Sequence, residues 1–250
     1  MPYGIAHLSV VPVRNQAEDA AEMCTQLLYG EHFRILEKRK FWSRIRVAYD
    51  KTEGWISNTQ YQEISEEEYT EIERGEKNHY VSDLVSYASA ENHSLIPLLL
   101  GSSVGHLHLI GQQFEGSYAN GTRGKSQLVD TALMYLNAPF VSGGKTPFGI
   151  DSAGLTQMVY KINGYNLLRD AAGQAKQGEA LSFIEESEEG DLAFFDNNEG
   201  IIDHVGIIMR DNYIIHAHGK VRIDRIDHTG IFNAEQGRYS HPLRVIKKIA

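Results

Sequence analysis

Gly143-Gly144-Lys145-Thr146-Pro147-Phe148-Gly149-Ile150-Asp151-Ser152-Ala153-Gly154-Leu155 joins a glycine-rich turn to the start of a helix, and the architecture follows from it. A glycine-rich turn runs into Ile150-Asp151-Ser152 and then into a helical pattern, with Leu155, Met158, Val159 and Ile162 at three- and four-residue spacing. Gly164 suits the position just past the end of a helix over 152–163. Ser152 is therefore expected in that helix's first turn, where backbone N–H groups and the helix dipole favour an anionic nucleophile and a developing oxyanion. Such a placement suits acyl transfer.

Downstream, the runs 192–195, 204–209, 212–216 and 221–226 alternate or are apolar, and polar or glycine turns separate them. They predict an antiparallel meander. If the turn after Met209 centres on Arg210, His204 and His216 face each other across adjacent strands, one able to act as base and the other to orient it. Upstream, residues 125–137 place Leu128, Val129, Ala132, Leu133 and Leu136 on one helical face, with Ser126 as a possible N-cap and Pro139 ending the run. Helices that precede a sheet, without alternating with its strands, predict an α+β domain over 121–250.

The first 120 residues read differently. Short runs at 5–13, 26–29, 33–37, 42–49 and 54–56, broken by polar or glycine turns, predict a small β-barrel over 1–65. A charged, partly helical and solvated linker is expected over 66–79. Another strand-rich stretch, 80–120, has Leu95-Ile96-Pro97-Leu98-Leu99-Leu100-Gly101 as its apolar centre.

The loop at 143–155 resembles that of the NlpC family of bacterial cell-wall peptidases, papain-like in architecture, which reads Trp-Gly-Gly-Lys-x-Pro-x-Gly-x-Asp-Cys-Ser-Gly. The likeness covers residues 125–250 and extends to the order nucleophile, His204-Val205-Gly206-Ile207, then His216 ending the next strand, with Gly190-Asp191-Leu192 before a Phe-Phe strand. The segments around Val11, Glu22 and Glu53 similarly resemble the bacterial SH3-like domains joined to such peptidases, and 80–120 reads as a second, diverged SH3-like module. The resemblance implies hydrolysis of the γ-D-glutamyl to diamino-acid amide of a peptidoglycan stem peptide or muropeptide. A cysteine at the position of Ser152 would attack, His204 would share its proton, and His216 would hold the His204 ring. It also implies that Phe140, Ser142, Gly144 and Asp151 lie beside the substrate, with Glu22 as a second carboxylate.

Several departures fall on that pattern. Serine replaces the attacking cysteine, and a hydroxyl holds its proton far more tightly than a thiol. Phe140 stands where the family usually has a tyrosine, Ser142 where it often has a tryptophan, and Ala153 where it has a serine. Ser152 is thus either a laboratory replacement in an active enzyme, which the retained His204 and His216 favour, or part of a natural non-catalytic binder of muropeptide or protein, which Phe140, Ser142 and Ala153 favour. Asp151 either receives the substrate's free amine or caps the helix. Glu22 either contributes to the same amine or is a solvated loop acid.

Competing chemistries are excluded by charge and spacing. The chain has 24 basic and 33 acidic side chains, a net charge of −9, which argues against nucleic acid as a ligand. Gly144-Lys145-Thr146 echoes a phosphate loop, but that motif needs a glycine where Pro139 sits. His106 and His108, like His216 and His218, stand two apart; without a cysteine or Glu-x-x-His pattern they read as ordinary histidines, and neither metal nor cofactor is expected. No apolar run is long enough for a membrane span, and no secretory signal is recognisable, so the protein is expected in the bacterial cytoplasm or, with a signal removed, outside it. Cys24 is the lone cysteine, so no intrachain disulfide is possible.

Overall fold

The structure is a computed structural model that describes residues 2–75, 78–197 and 199–249. The chain divides into two compact units, residues 1–121 with 142–146 and residues 122–141 with 147–250.

The first unit holds a seven-stranded antiparallel sheet of β1 (Tyr3–Ile5), β2 (Val10–Arg14), β3 (Met23–Leu28), β4 (His32–Lys38), β5 (Trp42–Val47), β6 (Glu53–Ser57) and β7 (Gln62–Ile64), ordered β3-β2-β6-β5-β4-β1-β7. Alternation along β2, β4 and β5 turns Val11, Val13, Phe33, Ile35, Ile45 and Val47 into one fully buried cluster with Leu27 and Ile56. Cys24 packs against its edge. The run at 5–13 is two strands, because the chain leaves the sheet between Ile5 and Val10.

The charged segment that follows is not simply solvated. Glu66–Glu73 forms helix α1, opened by a capping box in which the Ser65 hydroxyl accepts from the Glu68 N–H and the Glu68 carboxylate accepts from the Ser65 N–H. Glu66, Glu67 and Glu73 are exposed, while Tyr69 and Ile72 are buried against Tyr3, Ile5, Ala48 and Ile64. Glu76, the last residue of the predicted charged run, lies outside the described residues. Beyond it come β8 (Tyr80–Val81), β9 (Val85–Ala90), β10 (Leu95–Leu99), a 3-10 turn (Leu107–Ile110), β11 (Gln112–Phe114) and β12 (Tyr118–Ala119). They make a three-stranded sheet, β10-β9-β11, and a two-stranded one, β12-β8.

The glycine-rich turn, with β13 (Lys145–Thr146), belongs to this unit beside β3. Gly143 has φ 76°, and a Cβ there would stand 2.4 Å from the Met23 carbonyl oxygen, so glycine is demanded by close packing. Lys145 is buried, its Nζ donating to Glu31 Oε1 at 2.9 Å and Oε2 at 3.1 Å. Its ammonium is therefore committed to a carboxylate, which disposes of the phosphate-loop reading. Lys145→Met would leave a buried carboxylate without its cation and is expected to destabilise the first unit by about 3 kcal/mol. Adding Glu31→Gln should recover part of that loss. Urea denaturation followed by tryptophan fluorescence reads this unit alone, since Trp42 and Trp55 are the only tryptophans.

In the second unit, helix α2 (Lys125–Leu133) precedes β14 (Gly149–Ile150), helix α3 (Ser152–Ile162), the short α4 (Ala171–Gln174) and a second seven-stranded antiparallel sheet. Helix α2 is shorter than its spacing predicts. Gly124, not Ser126, is its N-cap, and from Met134 the chain tightens into i to i−3 bonds before Asn137 at φ 68°. Leu133 and Leu136 consequently stay exposed while Tyr135 is buried. Helix α3 is buried along its whole length, with Gly164 at φ 85° just beyond it.

The second sheet contains β15 (Glu179–Leu181), β16 (Leu192–Asp196), β17 (Ile202–Met209), β18 (Tyr213–His218), β19 (Lys220–Ile226), β20 (Gly230–Asn233) and β21 (Arg238–Lys248). Their order is β15-β21-β16-β17-β18-β19-β20, and β20 also pairs with β21. The meander β16 to β19 thus has the predicted antiparallel neighbours, and the long β21 bonds β20 with its first half and β16 with its second. Among the described residues, no helix is long and apolar enough to cross a membrane.

Candidate active site

Helix α3 packs on β17 and β18, the strands that carry His204 and His216. Ser152 is its first residue and is buried. Asp151 is the N-cap: its Oδ1 accepts from the Gly154 N–H at 2.6 Å, and the Arg169 guanidinium grips both carboxylate oxygens, Nη1 to Oδ1 at 2.9 Å and Nη2 to Oδ2 at 2.7 Å. Gln174 ties the same turn from α4, donating to the Ala153 carbonyl and accepting from the Thr156 hydroxyl. Side chains that are themselves fixed thus hold the start of α3.

The two histidines meet by a different register from the one their spacing suggests. The hairpin turns over Arg210–Asn212, with Asp211 and Asn212 both at φ 59°, and this pairs Gly206 with His216. His204 is therefore diagonal to His216, not opposite it. A Cβ at Gly206 would meet the Ile214 side chain at 2.7 Å and His216 Cβ at 3.0 Å, so close packing favours glycine there, and the rings bond His204 Nε2 to His216 Nδ1 at 2.8 Å.

Asp224, which sequence reasoning missed, completes the chain. Its Oδ2 lies 3.0 Å from His216 Nε2, and Arg222 fixes the carboxylate, Nε to Oδ2 at 2.6 Å and Nη2 to Oδ1 at 3.0 Å. Glu235 in turn accepts from Arg222. The signal was present in the hairpin at Gly219, which pairs His218 with Lys220 and so brings Asp224 diagonally beside His216. Since a carboxylate only accepts, His216 donates from Nε2 and its Nδ1 accepts from His204 Nε2–H. Neutral His204 then carries its basic lone pair on Nδ1.

Burial and neighbouring charge act together on this cluster. Burial first, then His241, His216 and His218, hold His204 well below the usual imidazole range. Burial also lowers His216, against the opposing pull of Asp224. For Asp224, burial pushes upward but the hydrogen bonds from His216 and Arg222 win, leaving it at about 2. His241 on β21 stacks on His204 with ring centres 4.0 Å apart and planes at 19°. Burial, then His216 and His218, bring it down to about 4.

These histidines are neutral in the folded unit and protonate near 6.5 when unfolded, so the unfolded state binds more protons below that pH. Stability is expected to fall as pH drops from about 6.5 towards 4, by about 2 kcal/mol for His241 once its partial exposure is allowed for. Calorimetric unfolding across that range should show it, and His241→Gln should flatten the slope.

Three ring nitrogens, from His204, His216 and His241, lie within 4.8 Å of one another. The nearly parallel stack of His204 and His241 keeps their in-plane lone pairs from converging, and His204 is already bonded to His216. The arrangement suits proton transfer better than cation binding.

The remaining predicted residues fall in both units. Phe140 is in the second unit and 45% exposed, pairing with Ile150 by an isolated parallel bridge. Ser142, exposed, and Gly144, buried, belong to the first unit. Glu22 is an exposed acid of the first unit just before β3, where its backbone carbonyl accepts from the Asn15 N–H. His218 is exposed, its ring 4.9 Å from that of His241.

Comparison with known proteins gives two family matches: the NlpC/P60 family over residues 137–236 and the bacterial dipeptidyl-peptidase SH3 domain over residues 13–60. The chain is 25% identical over 228 residues to a γ-D-glutamyl-L-lysine dipeptidyl-peptidase of Bacillus cereus, covering 80% of this chain and 68% of that one. A Bacillus subtilis protein of the same name is 34% identical over 92 residues, 36% of this chain and 31% of the relative's length. A crystal structure of an NlpC/P60 family protein from Bacillus cereus superposes with a TM-score of 0.80 at 18% identity, covering 98% of this chain and 99% of that one, and so shares its fold.

Proposed function

The chain carries an NlpC/P60-family domain preceded by a bacterial dipeptidyl-peptidase SH3 domain, and on that premise we propose that it recognises peptidoglycan stem peptides through the second unit, hydrolysing the γ-D-glutamyl to diamino-acid amide slowly or not at all because Ser152 holds the nucleophile's place. The observation that carries this reading is the relay Arg222, Asp224, His216, His204, which is built as a peptidase would need it and delivers a basic Nδ1. In the reaction the residue at 152 would attack the amide carbonyl, its proton passing to His204 Nδ1 and then to the departing amine, while the free N–H groups of the first turn of α3 face the oxyanion. Serine does this poorly here. Burial has lowered His204 well below 6.5, which makes it a weak base towards a hydroxyl, and no thiolate is present to stabilise its protonated form.

A natural non-catalytic binder is the second reading, favoured by Phe140, whose ring has no hydroxyl to offer an oxyanion. In either case the 80–120 strands are read as a second, diverged SH3-like module.

The test is calorimetric titration with L-Ala-γ-D-Glu-L-Lys, alone and N-acetylated, with mass spectrometry of the same samples. Binding of the free peptide with little release of L-Ala-γ-D-Glu is the expected result, and family-typical turnover or absence of binding would overturn it. Asp151 already serves Arg169 and Gly154, so an ammonium at that carboxylate would share it. Weaker binding of the acetylated peptide, with the gap narrowed by Asp151→Asn, would assign it the amine, whereas equal binding would leave it as cap and ion-pair partner alone.

A further inference from the structure

A second cluster of ligand-type side chains lies in the first unit, and the relay residues all belong to the second. Glu71 on α1 brings Oε1 to 3.2 Å from His108 Nε2 and 3.6 Å from His106 Nδ1, and all three ligand atoms lie within 4.8 Å of one another. A tetrahedral zinc with bonds of about 2.0–2.1 Å separates its ligand atoms by roughly 3.3–3.5 Å. The carboxylate oxygen therefore already stands at the right spacing from both imidazoles. The rings are 6.0 Å apart at 47°, so their planes converge where the parallel His204 and His241 do not. Two imidazoles and one carboxylate are also a donor set that zinc-class ions take, with water in the fourth place.

The elements presenting these groups are fixed independently of any ion. Leu109 and Ile110 of the 3-10 turn pack on the cluster that holds Tyr69 and Ile72 of α1, so turn and helix share one apolar core. Gln62 further donates to the Leu109 carbonyl. His106 is buried at the N-cap of the turn, whereas His108 and Glu71 are about half exposed, which gives an ion a way in from solvent.

We infer that Glu71, His106 and His108 bind one divalent cation of the zinc class, which clamps α1 to the 3-10 turn of the first unit. The inference does not depend on the peptidase reading, because its readouts are cation uptake and stability.

The experiment is titration of the full chain with Zn²⁺ against a chromophoric chelator, together with the visible absorption of the Co²⁺-loaded protein. One equivalent held at this site, a tetrahedral Co²⁺ spectrum and a zinc-dependent rise in the Tm read by tryptophan fluorescence are expected. Replacing His106 endangers the buried core, so the exposed ligands carry the test. Glu71→Gln and His108→Gln should each weaken uptake by at least about tenfold, since loss of a mere outer-shell partner already costs 10–100-fold. Failure of the unaltered chain to take up cation, or uptake unchanged in both variants, would overturn the assignment. Loss confined to His241→Gln would overturn it too, placing the ion at His204, His216 and His241.

Discussion

Ser152→Cys is expected to turn the chain into a working stem-peptide hydrolase and to create a thiol that alkylates at pH 6 about tenfold faster than an unfolded cysteine. The tenfold figure balances two effects. A thiol lowered from about 8.5 to about 5 by a helix N-terminus and a histidine gains some 300-fold in thiolate at pH 6, yet its intrinsic nucleophilicity falls about 40-fold with a Brønsted slope near 0.45. Ser152 begins α3, and the thiolate would supply the negative charge that His204 now lacks. Iodoacetamide labelling against pH measures this, with Cys24 as internal reference. Adding His204→Ala to Ser152→Cys should cut dipeptide release by about 10²–10⁴, the usual worth of a general acid-base group. A thiol no more reactive than an unfolded one, with no dipeptide released, would sink the proposed chemistry and leave the non-catalytic reading.

Asp224→Asn should damage both fold and chemistry. The carboxylate is buried and bonded to His216 and to Nε and Nη2 of Arg222. Its removal leaves a largely buried guanidinium with only the exposed Glu235 as counter-charge, at a cost of about 3 kcal/mol. Asparagine can also donate, so it no longer compels His216 to point Nε2–H towards residue 224, and the tautomer that leaves His204 Nδ1 basic loses its anchor. A drop of up to about 10⁴ in the turnover of the Ser152→Cys form is expected, the scale seen when the acid of a catalytic triad is neutralised. A wild-type pH-rate profile and unfolding midpoint in Asp224→Asn would show the relay to be incidental. Asp224 also adds stability that is present above about 3.8 and is lost as pH falls through about 2, a window below that of the histidines.

The tryptophan-bearing strands, helix α3 and the β16 to β19 meander were legible because each follows a purely local rule. Inward alternation makes Val11, Val13, Ile45 and Val47 a strand core, and three-four spacing makes Leu155, Met158, Val159 and Ile162 a buried helix face. The misreadings fell where a local preference meets a second element. The charged run 66–73 looks solvated until Tyr69 and Ile72 find the face made by Tyr3 and Ile64. Leu133 and Leu136 continue a helical pattern that the chain leaves at Met134, where Tyr135 takes the buried place.

Periodicity, capping and loop chemistry are properties of neighbours along the chain, and they were enough for the α+β domain, for Ser152 at a helix start, and for His204 and His216 on adjacent strands. The rest came from contacts between distant segments. Whether two histidines stand opposite or diagonal depends on a one-residue choice in a tight turn, here fixed by Asp211 and Asn212 in left-handed conformation. Asp151's partner is Arg169, eighteen residues away, and Lys145's is Glu31, from the far end of the chain. Such pairings rest on burial, which makes an unpaired charge too costly to leave, and burial is known only once distant segments have been brought together.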